Sequence, residues 1–544
     1  MQKLETKLVK KGLLSSEQLD KALALSKQTY KPLPTILVDH GFLNEIALLE
    51  VQAEQYGLDF VELGEMVVDD SAVKSVSAKL AAHYSIMPVK LESGVLTIAV
   101  SNPLDMAPAE DIETNLGYQV ERVLASRSDI LETLRKVYGV GADTVEKILE
   151  ESDDREEIII QEESHDLEKM AADASVVKLV NQLLQEAISD RATDIHFEIN
   201  REGVTARRRI DGVLYDTHVP KNIRLLYPAI VSRIKLMSSL NIVERRLPQD
   251  GRARVKIGRK DYDLRISIVP AIHGEDVVIR ILPSTMLFDL AHLGFSERHL
   301  KALKHFIVQP HGIIFVTGPT GSGKSTTLYA CLSILNTRDR KIITIEDPVE
   351  YELKGITQTQ INPKIGLTFS HALRSMLRHD PDVMMVGEVR DQETAKIAIQ
   401  TAMTGHLVLS TLHTNDAAAG AVRLIDMGID PYLITSTVQV FMAQRLLRVI
   451  CPDCKKSYDE NGRHLYRGSG CKQCHNSGYH GRIAISELLP LEADIQEMIL
   501  QKASAKAIRE KANALGMSTL AKDGEDKVAD GITTLEELVR VTSM

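Results

Sequence analysis

Three glycines, a lysine and three hydroxyl side chains fall within one short stretch, Gly318, Pro319, Thr320, Gly321, Ser322, Gly323, Lys324 and Ser325. This is the set of residue types that wraps a chain of phosphates: glycines let successive backbone N–H groups converge on the anion. The stretch follows the apolar run Gly312–Thr317 and opens, at Thr326, onto a helix-like pattern, Thr326-Thr-Leu-Tyr-Ala-Cys-Leu. Strand, glycine-rich loop and helix are the context of a P-loop, with the helix N-terminus adding partial positive charge. Residues 318–326 are therefore the expected nucleotide-binding set. Lys324 is expected to reach the β- and γ-phosphates, and Ser325 to hold Mg²⁺ through its hydroxyl.

Hydrolysis further needs a metal clamp and a group that orients the attacking water. Lys341-Ile-Ile-Thr-Ile-Glu346-Asp347-Pro348-Val349-Glu350 reads as a buried strand whose end delivers three carboxylates. In parallel α/β sheets ligands collect at such carboxyl ends. A second strand, Asp382–Val386, ends in Gly387-Glu388, where Glu388 is expected to act on Mg²⁺ or its water. A third, Leu407–Thr411, is bracketed by His406 and His413, either of which is a candidate γ-phosphate contact or a structural hydrogen bonder.

Cys451-Pro-Asp-Cys454 and Cys471-Lys-Gln-Cys474 have the C-x-x-C spacing and separation of a four-thiolate zinc ribbon. Four thiolates close a tetrahedral shell and leave no position for chemistry, so the expected role is structural zinc, with a redox pair as the alternative. The fifth cysteine, Cys331, falls inside the helix after the P-loop and reads as a small core residue.

The elements that must position these groups belong to a chain of 544 residues, long enough for several domains. No apolar stretch approaches the roughly 18 residues of a membrane-spanning helix, and the first residues lack a signal-peptide core, so a cytoplasmic location is expected. The formal charge of −10 is concentrated: residues 141–169 carry twelve Asp/Glu against three Lys/Arg, hence −9. The near-neutral remainder does not suggest a nucleic-acid face, and the acidic run reads as a solvated linker. The expected organisation is a helical repeat domain (1–56), a small α/β domain (57–140), the acidic linker (141–170), a second α/β domain (171–285) and a nucleotide domain (286–544) with the tetracysteine module at about 446–485.

Together, Gly318–Ser325, Ile345-Glu-Asp-Pro-Val-Glu350, residues 376–391 and Thr404–Asp416 resemble the four ordered boxes of the secretion ATPases of type II secretion and type IV pilus assembly. Ala192–Glu198, Arg209–Gly212, Pro248–Arg252 and Gly274–Arg280 resemble the domain that precedes them in that family. The resemblance implies an α/β multidomain fold: a RecA-like P-loop domain with a zinc-ribbon insertion, preceded by a PAS-like α/β domain and by N-terminal helical and α/β domains. It implies that Glu350 is the catalytic carboxylate acting on water, that Glu388 serves the Mg²⁺ site, and that Lys324 holds ATP. It also implies a homo-hexamer in which Arg265 and Arg280 reach nucleotide at a seam between domains or subunits. The partners it implies are an inner-membrane platform protein and a membrane docking protein, making membrane contact indirect. Assembly and secretion ATPases carry a tetracysteine module that the related retraction ATPases generally do not, which points to assembly.

Two similar units open the chain, with Gly12 and Gly41 at matching positions and Ser15/Ser16 and Asn44 as expected helix N-caps. They resemble the paired motif that binds cyclic di-GMP in some family members. Where that motif has Arg-Leu-Gly, this chain has Lys3-Leu4-Glu5 and Pro32-Leu33-Pro34. A carboxylate repels an anionic ligand and proline lacks a donor, so a docking role is expected ahead of cyclic di-GMP. Two rival functions share the same nucleotide motif: a nucleic-acid translocase of the P-loop ring class, and a nucleotide sensor with weak or no ATPase activity.

Overall fold

The computed structural model describes residues 4–64, 66–153, 171–283, 288–460 and 462–543. The chain divides into two compact units, 1–282 and 283–544, three residues short of the division expected at 286.

In the first unit the opening repeats are four helices, Leu4–Lys10, Ser16–Thr29, Leu33–Asp39 and Glu45–Tyr56. Each helix of the second pair begins 29 residues after its counterpart in the first. Ser15 caps the second helix through a capping box with Gln18, and Asn44 caps the fourth by accepting from the Ile46 N–H. Leu8, Leu14, Ile36, Leu37 and Leu48 close their shared core. A three-stranded sheet follows, formed by β1 (Met87–Glu92), β2 (Val95–Val100) and β3 (Gln119–Leu124) in that order. A six-stranded sheet completes the unit: β4 (Asp194–Ile199), β5 (Val204–Ile210), β6 (Val213–Thr217), β7 (Gln249–Ile257), β8 (Lys260–Ala271) and β9 (Gly274–Pro283). Its spatial order is β6-β5-β4-β9-β8-β7.

The acidic linker expected from Gly141 is not one along its first part. Ala142–Asp153 is a helix, and its Val145 is buried in the core beneath the six-stranded sheet. Glu146 accepts from the backbone N–H groups of Ala78 (3.2 Å) and Lys79 (2.9 Å), at the first turn of the helix Ala78–Tyr84. A carboxylate there satisfies donors that no helical carbonyl reaches. Residues 154–170 lie outside the described residues.

The second unit is built on a seven-stranded sheet: β10 (Gly312–Thr317), β11 (Ile342–Glu346), β12 (Thr357–Gln360), β13 (Val383–Val386), β14 (Leu407–Leu412), β15 (Val438–Ile450) and β18 (Tyr479–Pro490). The order is β12-β11-β13-β14-β10-β15-β18, with β18 antiparallel to β15 and the other pairs parallel. β10, β11, β13 and β14 are buried along their whole length, which is why they read as predominantly apolar runs without polar alternation. A hairpin of β16 (Lys455–Glu460) and β17 (Arg463–Gly468) stands between β15 and β18. Among the described residues no helix is long and apolar enough to cross a membrane.

Candidate functional site

The glycine-rich loop leaves the carboxyl end of β10 and enters the helix Lys324–Leu335. Gly323 sits in the left-handed region at φ 88°, and a β-carbon there would lie 2.7 Å from Gln444 Nε2. Only glycine meets both demands. Lys324 is buried, and its ammonium donates to the carbonyls of Gly318 (2.8 Å) and Pro319 (3.0 Å). Burial lowers its pKa to about 8, against the opposing pull of the Glu388 carboxylate and with help from the Arg445 charge. Ser325, one residue on, is exposed.

Three parallel strands bring the other candidates to the same edge of the sheet. Glu346 ends β11, and the turn Asp347-Pro348-Val349 carries the chain on to Glu350. Glu388 follows β13 and is 9 % exposed. Arg390 Nη2 lies 2.5 Å from one of its carboxylate oxygens, and His413 Nε2, just past β14, lies 3.4 Å from the other. Burial, reinforced by the Lys324 charge, holds the His413 pKa below its ordinary value, so the imidazole is neutral at pH 7.

His406 is elsewhere. It precedes β14, whose six residues span about 20 Å, so it lies at the amino edge while the P-loop lies at the carboxyl edge. Its Nδ1 is within 3.0 Å of the Thr401 carbonyl and 3.1 Å of the Thr404 hydroxyl. Of the two histidines bracketing this strand, only His413 meets the P-loop groups of its own chain. Arg265 and Arg280 lie in the first unit. Arg265 stands opposite Arg252 in the β7–β8 ladder, and Arg280 Nε donates to Asp194 at 3.1 Å.

Two residues absent from the sequence reading stand against the glycine-rich loop and its neighbours. Gln444, in the middle of β15, donates to the Ser322 carbonyl (2.9 Å) and accepts from the Thr327 hydroxyl (2.7 Å), bracing both sides of the loop's last turn. Arg445, buried beside it, donates to the carbonyls of Gln444 (3.2 Å) and Asn415 (3.0 Å). The signal was a polar pair inside the apolar run Val438–Ile450.

The four cysteines converge where β15 ends and β18 begins. Their sulfurs all lie within 4.8 Å of one another. Cys451–Cys471 is 3.7 Å, Cys454–Cys474 3.8 Å and Cys471–Cys474 3.6 Å. Tetrahedral Zn–S bonds of about 2.3 Å place sulfurs about 3.8 Å apart, so the donor set fits zinc. Burial pushes the Cys454 thiol up to about 12; at Cys474 it is outweighed by the N–H groups of Cys471 and Gly478, which bring that thiol down to about 7. Gly468 and Gly478 cross at this point so closely that a β-carbon on Gly468 would lie 2.1 Å from the Gly478 carbonyl oxygen. Cys331 is buried in the core away from these four, its thiol pushed up to about 12 by burial.

A family profile described as type II/IV secretion system protein matches residues 169–540. The chain belongs to that family. A second profile, the MshEN domain, matches residues 56–144 and so falls on the α/β region after the helical repeats. The type IV pilus assembly ATPase PilB of Myxococcus xanthus is 42 % identical over 557 aligned residues, covering 98 % of each chain. The type II secretion system protein E of Xanthomonas campestris is 40 % identical over 559, covering 98 % of this chain and 97 % of its own. The ATPase DotB of Legionella pneumophila shares the fold over 66 % of this chain and 93 % of its own, with a TM-score of 0.51 at 23 % identity. This secretion-family protein is an ATP hydrolase of the pilus assembly and type II secretion class. Neither the nucleic-acid translocase nor the sensor reading is favoured by these matches.

Proposed function

We propose that this family member hydrolyses MgATP as a homo-hexamer and drives pilin-like subunits into a type IV pilus or a type II secretion pseudopilus through an inner-membrane platform protein. A cytoplasmic place at that membrane, held by the platform and a docking protein, follows from the same reading. The finer fold assignments are a RecA-like nucleotide domain and a PAS-like domain ahead of it.

The observation that carries the reading is the meeting of Lys324, Glu388 and His413 at the carboxyl ends of neighbouring parallel strands. In this proposal the N–H groups of residues 318–326 cradle the phosphates, and Lys324 exchanges its two carbonyl partners for phosphate oxygens. Ser325 and Glu388 would hold Mg²⁺, which when bound neutralises phosphate charge and fixes the γ-phosphoryl group. Glu350 orients the attacking water and accepts its proton, and His413, neutral beside Glu388, donates or accepts a hydrogen bond at the γ-phosphate. Arg265 and Arg280 contribute charge at a seam between domains or subunits. Cys451, Cys454, Cys471 and Cys474 would hold structural zinc, which supplies a closed cross-link and no open coordination position.

The deciding experiment is MgATP turnover against protein concentration, with mass from light scattering, for the native chain and Glu350→Gln. Turnover per subunit that rises with assembly and collapses in the variant, with nucleotide still bound, is the expected result. Equal turnover by monomer and assembled ring would defeat the hexameric motor.

A further inference from the structure

Tyr329 lies on the P-loop helix, six residues after Gly323, and it is fully buried in the core. Its hydroxyl is nonetheless at a polar junction. It donates to Glu346 Oε2 and accepts from the backbone N–H of Glu350 at 3.2 Å. The acceptor that orients the hydroxyl is itself held: Glu346 Oε1 takes hydrogen bonds from the Thr344 hydroxyl (2.5 Å) and Gln358 Nε2 (3.1 Å). Gln358 continues the clamp along the loop, donating to the Tyr351 carbonyl (2.9 Å) and accepting from the Leu353 N–H (2.6 Å). Phe288 packs edge-on against both the Tyr329 ring (5.2 Å) and the Tyr351 ring (5.3 Å).

A buried phenol that donates to a carboxylate and accepts from a backbone N–H has its hydroxyl engaged in both senses and its rotation restricted. The backbone it holds is that of Glu350. We infer that Tyr329 is a positioning residue for Glu350: through the chain Glu346–Tyr329–Glu350 N–H, the P-loop helix sets where the Glu350 carboxylate stands relative to the bound phosphates. Tyr329 touches no reacting atom. It ties the phosphate-binding helix to the loop bearing the water-orienting group, so that both move as one body. This inference rests on the reading of Glu350 given above.

Tyr329→Phe keeps the ring in its packing and removes only the oxygen. On the full-length protein, kcat, KM for MgATP, affinity for a fluorescent ATP analogue and melting temperature would be measured alongside Glu350→Gln. Misplacing a catalytic group by a fraction of an ångström to 1 Å costs up to about 100-fold in rate. We expect kcat to fall about 10- to 100-fold, with KM and analogue affinity within about twofold, the pattern of a lost transition-state interaction. If Tyr329→Phe melts more than about 5 °C lower, Glu346→Gln, which weakens the hydroxyl's acceptor while keeping its shape, is judged by the same criteria. Native kcat in Tyr329→Phe beside a collapsed Glu350→Gln would overturn this inference alone. Native kcat in Glu350→Gln would overturn the reading of Glu350, and this inference with it.

Discussion

The nucleotide site and the cysteine cluster lie in the same unit and share the strand β15, yet they are assembled in opposite ways. Lys324, Glu350, Glu388, His413 and Gln444 come from five segments spread over 121 residues, each carried by or following a strand of one sheet. The four cysteines come from 24 residues at the junction of one antiparallel strand pair. The first arrangement holds a buried lysine next to an exposed serine, as a site that must admit and release a ligand requires. The second turns its four sulfurs toward one another. Dispersed sites depend on the whole sheet for their geometry, whereas a local cluster needs only the ends of two neighbouring strands.

That contrast can be broken by experiment. The largest effect expected is from Lys324→Ala, which should lower kcat/KM for MgATP by more than about 100-fold while leaving bound zinc, measured by atomic absorption, at about one per chain. Loss of zinc in that variant would show the two sites to be one cooperative structure. Cys474→Ser should reduce zinc from about one per chain to near none and open the 455–468 hairpin to limited proteolysis, because the ion closes the loop. Nucleotide affinity should hold within a few-fold.

Gln444→Ala sharpens the comparison because β15 serves both sites. It strands the Thr327 hydroxyl and the Ser322 carbonyl, each costing about 1–3 kcal/mol when left unsatisfied, so KM for MgATP should rise several-fold and more than kcat falls. A subtler effect concerns protons. With Lys324 at about 8, raising the pH through 8 removes the ammonium from the free protein, and phosphate binding restores it. Nucleotide affinity should therefore weaken above pH 8, and calorimetry in buffers of different ionisation enthalpy should show uptake of up to about one proton near pH 8.5. Smallest is the difference between the histidines: His413→Ala should reduce kcat more than His406→Ala, and the reverse order would return His406 to the nucleotide.

Much of this was legible before any coordinates. The P-loop, the strands β10, β11, β13 and β14, the helix caps Ser15 and Asn44, and the cysteine pairs are signals written in consecutive or closely spaced residues. What escaped was long-range. Gln444 lies 117 residues from its partner Thr327, and Tyr329 reads as one more apolar position in a helix until Glu346 and Glu350 are placed against its oxygen. Glu146 was hidden by composition, since a charge-rich run suggests solvation and gives no sign that one of its carboxylates caps a helix. His406 and His413, read together from the sequence, part for a simpler reason: flanking a strand on both sides puts two residues at opposite edges of a sheet.

β15 also imposes a reading frame. Gln444 and Arg448 are four residues apart and share a face, the first turned to the P-loop and the second to Glu537, which its guanidinium meets at 2.8 Å; Arg445 takes the other face, toward Asn415. Because strand side chains alternate, deleting one residue between 444 and 448 would present a valine where Glu537 now finds its arginine. Hydrophobicity and length would barely change. Evolution can vary most letters of this strand more freely than it can vary their count.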